Sequence, residues 1–341
     1  MSNLRLAFKY GKYLALTSVG ASSLYILKNN DWDVNTLGAV RFGRTALTVG
    51  SIVFDYKYSL SGVNGDNDES KARWSQCHQR AANKLLKLCS TNGGVFIKVG
   101  QHIGALDYVA PREYCETLKV LHSHAPQSSL QDLRHVIITD LGAAPEELFA
   151  EFSKEPIGTA SLAQVHKAVL RETGETVAVK VQHRLVKKHS FVDMATMDIL
   201  VRGVAKIFPD FSFLWLADEM KRNLPLELDF VNEGRNAERV QRMFKHLSWL
   251  RIPDIKWEYS SPRVLTMNFL EGGEITNQEY VLKNKLDPRV ISDRISTLYS
   301  EMIFIQGYVH CDPHPGNILV RATDDGPEIV LLDHGLYTVS F

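Results

Sequence analysis

Apolar positions recur every three and four residues from about Glu69 to Leu121, which predicts helices with one buried face, interrupted at Asn92-Gly93-Gly94 and closed near Pro111. Leu130 to Phe149 continues the helical spacing as a pair of helices around a break at Gly142. The pattern then changes. Pro156 to Leu170 and Thr176 to Val181 are rich in β-branched residues and alternate, and Glu172-Thr-Gly-Glu175 between them is a hairpin turn. A long helical region runs from about Val186 to Leu250, broken at Pro209 and strained at Pro225. Strands are predicted again at Arg263 to Phe269, Ile318 to Arg321 and Glu328 to Leu332, with a helix over Val290 to Gln306. No internal repeat or low-complexity tract is present.

The start of the chain carries Arg5, Lys9, Lys12 and Lys28 and no acidic residue before Asp31, a character that resembles an organelle-import presequence. Its uncharged stretch, Tyr13 to Leu27, is shorter than the roughly 18 to 20 residues of a membrane-spanning helix. Val34 to Phe54 is long enough, but Arg41 and Arg44 interrupt it, each costing about 2.5–3.5 kcal/mol at a bilayer centre. Ser59 to Asp68 collects turn formers and reads as a linker. With 39 Lys+Arg against 39 Asp+Glu, the 341-residue chain is too neutral for a dedicated nucleic-acid binder, and with 45% hydrophobic residues it is too apolar to be disordered. Cys77, Cys89, Cys115 and Cys311 are scattered, which argues against a disulfide framework or a four-cysteine zinc site.

The densest chemistry lies in His310-Cys-Asp-Pro-His-Pro-Gly-Asn317 and, after a turn at Asp325-Gly326, in Ile329-Val-Leu-Leu-Asp333-His-Gly335. Phosphoryl transfer from Mg-ATP needs a carboxylate that positions the acceptor, an amide oxygen on one metal and a second carboxylate whose metal bridges the phosphates. Asp312 and Asn317 have the offset of Asp and Asn in the kinase signature H-R-D-L-x-x-x-N, and Asp333 ends a hydrophobic strand in a D-x-G triplet. Mg²⁺ takes few protein oxygens alongside phosphate, so this sparse set suffices. His310, Cys311 and His314 suggest zinc less well, because no second cluster accompanies them. Val177-Ala-Val-Lys180 corresponds to the strand lysine of V-A-I-K. The preceding loop, Ile157 to His166, holds Ala160, Ser161 and Ala163 where a protein kinase has G-x-G-x-x-G, which implies a stiffer cover over the phosphates. Strands, a helix, and a strand leading into a mainly helical half is also the order of an α+β, bilobal kinase-like fold, although that pattern alone fits other α+β proteins as well.

Together these segments resemble the aarF-domain, or UbiB-type, atypical kinase-like family, most closely its mitochondrial aarF-domain-containing kinase 1 branch. The resemblance covers roughly residues 70–341 and includes Lys98-Val-Gly-Gln101 (K-x-G-Q), the alanine-rich loop Ala160 to His166, and Glu227-Leu-Asp229 (E-x-D). It implies a protein-kinase-like fold with a helical extension and a shortened C-lobe. The basic segment would cover 1–58, the linker 59–68, the K-x-G-Q extension 69–150, the N-lobe with inserted helices 151–270 and the partial C-lobe 271–341. It further implies that Lys180 binds phosphate and pairs with Glu233, that Asp312 is the catalytic-loop carboxylate, and that Asn317 and Asp333 hold Mg²⁺. Lys98 and Gln101 would sit beside Glu227 and Asp229 as a lid where a protein substrate would lie, and Thr266 to Leu270, with Met267 and Phe269, would form the hinge that meets adenine.

The implied function is that of an ATP- and Mg²⁺-using kinase or ATPase of mitochondria, acting in lipid metabolism or membrane homeostasis rather than on proteins, with a mitochondrial membrane or lipid as partner. Two alternatives stand beside it: a non-catalytic nucleotide-binding scaffold, and a small-molecule kinase of the aminoglycoside or choline type. Two departures from the pattern matter. His334 follows Asp333 where most kinases have Phe, and the chain stops at Phe341, eight residues past Asp333. Weak turnover by the isolated chain, and exposed apolar surface near Val290 to Gln306, are the corresponding expectations.

Overall fold

The computed structural model describes residues 21–25, 27–28, 32–63, 65, 67–122, 127–211 and 213–339. The basic residues Arg5, Lys9 and Lys12, and with them most of the Tyr13 to Leu27 stretch, lie outside the described residues. The chain forms two compact units, one from Met1–Ala125 and Leu185–Asp218, the other from Pro126–Arg184 and Glu219–Phe341.

The first unit opens with helices α1 (Gly38–Ser59), α2 (Asp68–Asn92), α3 (Val95–Gly104) and α4 (Arg112–Leu118). The second receives α5 (Leu130–Leu141), α6 (Pro145–Leu148), and strands β1 (Phe149–Phe152), β2 (Gly158–Thr159), β3 (Ala163–Leu170) and β4 (Thr176–Gln182). Helix α7 (Val186–Ile207) returns to the first unit, and α8 (Leu214–Glu227) follows with Pro225 in its last turn. The second unit then adds α9 (Phe230–Met243), β5 (Leu250–Arg251), β6 (Val264–Asn268), β7 (Gly273–Glu274), α10 (Gln278–Lys283) and α11 (Pro288–Glu301). It finishes with β8 (Tyr308–His310), β9 (Ile318–Thr323), β10 (Gly326–Leu331) and β11 (Tyr337–Val339).

In the first unit, the side chain of Asn67 caps α2, and the Gly93-Gly94 break has φ of 66° and 52°, a region that glycine enters without strain. Leu88, Cys89, Phe96, Ile97, Leu118 and Leu121 form the core. Gly100 of K-x-G-Q has a steric reason: a Cβ there would overlap Leu121 and crowd Cys89. The two arginines that interrupt Val34 to Phe54 are structural. Arg41 is buried and grips Asp193 of α7 through two hydrogen bonds, 2.7 and 2.5 Å, while donating a third to the Asn92 carbonyl at 2.7 Å. Arg44 donates to the Asn92 side chain. Among the described residues no helix is long and apolar enough to cross a membrane.

In the second unit, β1, β3, β4 and β6 form an antiparallel sheet in that order, with β2 against β3. Period-2 alternation along β4 sends Val177, Val179 and Val181 to the face covered by Leu133, Val136 and Ile137 of α5. Ala178, Lys180 and Gln182 therefore point to the opposite face, where Phe230 of α9 packs with Ala163, Ala178, Leu265 and Met267. A second sheet, ordered β5-β10-β9-β7, joins α9, α10 and α11 around Val240, Phe244, Leu298, Val320 and Ile329. Beyond α11, Ile303, Phe304 and Ile305 are exposed.

Candidate functional site

Lys180 stands at the centre of the polar cluster. Its Nζ lies 2.6 Å from Glu233 Oε1 and 3.3 Å from Asp333 Oδ2, with the Phe230 ring centroid at 5.2 Å. Glu233 reaches it because α9 lies close against the sheet. The Asp229 carboxylate caps that helix by accepting from Val231 N–H, and Gly234 leaves room for Trp257 and Leu265, since a Cβ there would come within 2.6 Å of the Trp257 ring. Burial disfavours the charge of Lys180, but Asp333 and Glu233 outweigh this and lift it above the ordinary lysine range. Burial, with the Asp333 charge adding to it and Lys180 opposing, pushes Glu233 up to about 7.

Asp333 is held by the loop that faces it. Its Oδ1 accepts from Gly335 N–H at 2.9 Å, and its backbone carbonyl accepts from His310 Nε2 at 2.8 Å. Because that nitrogen must donate, His310 Nδ1 is the acceptor for Asp312 N–H at 3.2 Å. Both ring nitrogens of His310 are thus engaged, which removes it as a zinc ligand. Asn317 N–H donates to the His314 carbonyl at 3.0 Å, and the Asn317 carbonyl accepts from Leu332 N–H at 2.9 Å. With Cys311 N–H donating to the Leu336 carbonyl at 3.0 Å, the loop bearing Asp312 and Asn317 is tied by backbone to residues on either side of Asp333.

His334 occupies the position where Phe is usual, and it is buried. Its Nε2 donates to the Leu331 carbonyl, its Nδ1 accepts from Tyr337 Oη, and its ring stacks on Tyr337 with centroids 5.9 Å apart. Burial pulls it down to about 4, so it is neutral at physiological pH. Asn236 Nδ2 donates to the His334 carbonyl and Asn236 Oδ1 accepts from Tyr308 Oη. Phe230, Asn236 and the structural use of His310 were not singled out from sequence. Asn236 had a signal, since it follows Glu233 by three positions on one helix and so shares its face.

In the alanine-rich loop, Ala160 N–H donates to the Ala163 carbonyl at 2.8 Å, Ser161 is buried, and Ala163 belongs to the core beneath Phe230. Met267 buries its side chain in that core, whereas Phe269 is half-buried with the Lys167 ammonium 4.6 Å from its ring centroid. Glu227 is buried at the end of α8 and Asp229 caps α9, both in the second unit. Lys98 and Gln101 belong to α3 of the first unit, where Gln101 Nε2 donates to the Leu121 carbonyl at 3.0 Å.

The donor set suits a hard cation that also takes phosphate oxygens: Asp333 has a one-third-exposed carboxylate and Asn317 is an amide on the adjoining turn. Among the described residues no group of three or more His, Cys, Asp and Glu gathers as a self-sufficient metal cage.

The profile described as the ABC1 atypical kinase-like domain matches residues 120–340. AarF domain-containing protein kinase 1 of Mus musculus is 54% identical over 338 residues, 98% of this chain and 64% of its own. AarF domain-containing kinase 1 of Drosophila melanogaster is 57% identical over 320 residues, 93% of this chain and 62% of its own. This chain thus spans somewhat under two thirds of the length of these curated relatives. Among solved structures, the Rv3197–erythromycin complex from Mycobacterium tuberculosis superposes with a TM-score of 0.53 at 25% identity, over 81% of this chain and 68% of that one. With a kinase-like fold and a family match over most of its length, the chain belongs to the ABC1/AarF family of atypical kinase-like proteins.

Proposed function

We propose that this chain binds Mg-ATP and carries the phosphotransfer apparatus of an atypical kinase or ATPase. The observation that carries the reading is the position of Lys180 between Glu233 and Asp333, a cation from one sheet beside a carboxylate that follows another, which supports a phosphate-binding role for the first and a metal-binding role for the second. Lys180 orients the nucleotide phosphates, and Glu233 fixes Lys180. Asp312 accepts the proton of the attacking hydroxyl. Mg²⁺ held by Asn317 and Asp333 would offset phosphate charge. Ala160, Ser161 and Ala163 cover the phosphates, and the backbone around Met267 and Phe269 meets adenine.

The K-x-G-Q and E-x-D motifs set the chain apart from kinases that act on proteins, which supports a lipid or another small molecule as the acceptor. Action in mitochondria, at or near a membrane, is supported by the acid-free basic start of the chain. Single-turnover transfer of labelled phosphate to lipid extract, compared with protein extract, tests the assignment. The reading expects label in lipid or inorganic phosphate that disappears in Asp312→Asn; label in protein alone would contradict it.

A further inference from the structure

The alanine-rich loop is held from behind by a chain of buried polar groups that no part of the proposed reaction uses. The Ala160 carbonyl lies 3.0 Å from His183 Nε2, and His183 N–H donates to the Leu162 carbonyl at 3.0 Å. A carbonyl can only accept, so Nε2 carries the proton and His183 Nδ1 accepts from the Ser128 hydroxyl at 2.7 Å. Ser128 N–H in turn donates to Gln164 Oε1 at 2.7 Å, and Gln164 Nε2 donates to His166 Nε2 at 2.8 Å. An amide nitrogen can only donate, so His166 has the opposite tautomer and its Nδ1 donates to the Ser153 carbonyl at 2.8 Å. Gln164, His166 and His183 are all buried. Burial holds both imidazoles below the ordinary histidine range, the neutral state that these hydrogen bonds require. Every link is satisfied in one direction only, the condition under which a buried network fixes a single geometry.

We propose that His183 is a positioning residue for the nucleotide phosphates, an Nε2–H imidazole that sets the Ala160–Ala163 turn at a fixed height by tying it to Ser128. The inference rests on the nucleotide reading above. A glycine-rich cover adapts to its ligand by backbone freedom, whereas an alanine-rich one has less of it and gains more from being placed in advance.

The test separates the two arms of the imidazole. Asn at this position places its amide near the Nδ1 position and retains Ser128, whereas Gln reaches the Nε2 position and retains Ala160. Amide hydrogen exchange of residues 160–163 is measured without nucleotide, and affinities for ATP and for adenosine are measured on the wild type, His183→Asn, His183→Gln and Ser128→Ala. The proposal expects His183→Asn to speed exchange and weaken ATP about five- to tenfold, the loss of roughly one hydrogen bond, with adenosine affinity unchanged. His183→Gln should stay near wild type and Ser128→Ala fall between them. Equal losses for ATP and adenosine, or wild-type ATP affinity in His183→Asn, would overturn the positioning role alone. Absence of ATP binding by the wild type would overturn both the nucleotide reading and the phosphate role of His183.

Discussion

Lys180 is held between two carboxylates of unequal burial, and that inequality makes a testable difference. Glu233 is raised to about 7 from an ordinary value of 4.5, so the folded state binds more protons than the unfolded one between those values. Its contribution to stability is fully present below about 4.5 and is lost as pH rises through about 7. Lys180→Met removes the adjacent charge that pulls Glu233 down, and the buried carboxylate then has to be neutral or pay for its charge. The expected deficit in urea unfolding is about 3 kcal/mol at pH 8.5 and clearly smaller at pH 6, where Glu233 takes up a proton. Equal deficits at the two pH values would contradict this account. Lys180 and Asp333 were legible in sequence because the hydrophobic strand that carries the one and the strand that precedes the other are local patterns. The tautomers of His310 and His183 were not, because each is set by a carbonyl that only the fold brings near.

Among the elements, the long helices and the β3–β4 hairpin follow from periodicity, caps and turn residues. Strand β1 was missed because four residues carrying Glu151 give little alternation, and β5 and β7, at two residues each, exist through their partner strands. The arginines in Val34 to Phe54 showed only that the segment is a poor membrane span; that Arg41 pairs with Asp193, 152 positions away, is tertiary information. Helix packing explains one motif glycine and separates it from another. Gly100→Ala should cost about 1–3 kcal/mol by forcing Leu121 and Cys89 apart. Gly158→Ala, where a Cβ meets no atom within 4 Å, should change stability by less than about 0.5 kcal/mol. Thermal melts of the two variants check the contrast. Helices α1 and α2 are also joined by Asp55, which Arg80, against the opposing effect of burial, holds far below its ordinary 3.8. A depressed carboxyl stabilises above its unfolded value and loses that contribution as pH falls. Asp55→Asn should therefore lessen the acid-induced loss of stability below about pH 3.8, read as a shallower fall of Tm with decreasing pH.

At the scale of the whole molecule, the balanced charge and ordinary apolar content defined a globular class, while the motifs, taken in order, pointed to the family. The division into two compact units could not be read from sequence, because α7 leaves the second unit's stretch of chain to pack with α1 in the first, and no local pattern marks that return. Every functional proposal converges on a nucleotide whose phosphates meet Lys180 on one side and a metal at Asp333 on the other. Titration of ATP into the wild type, Lys180→Ala and Asp333→Asn, each with and without Mg²⁺ and followed by thermal stabilisation, tests that convergence most directly. The account predicts a Mg²⁺-dependent rise in Tm for the wild type that both variants lose. A rise of equal size in all three proteins, or none in the wild type at saturating nucleotide, would contradict it.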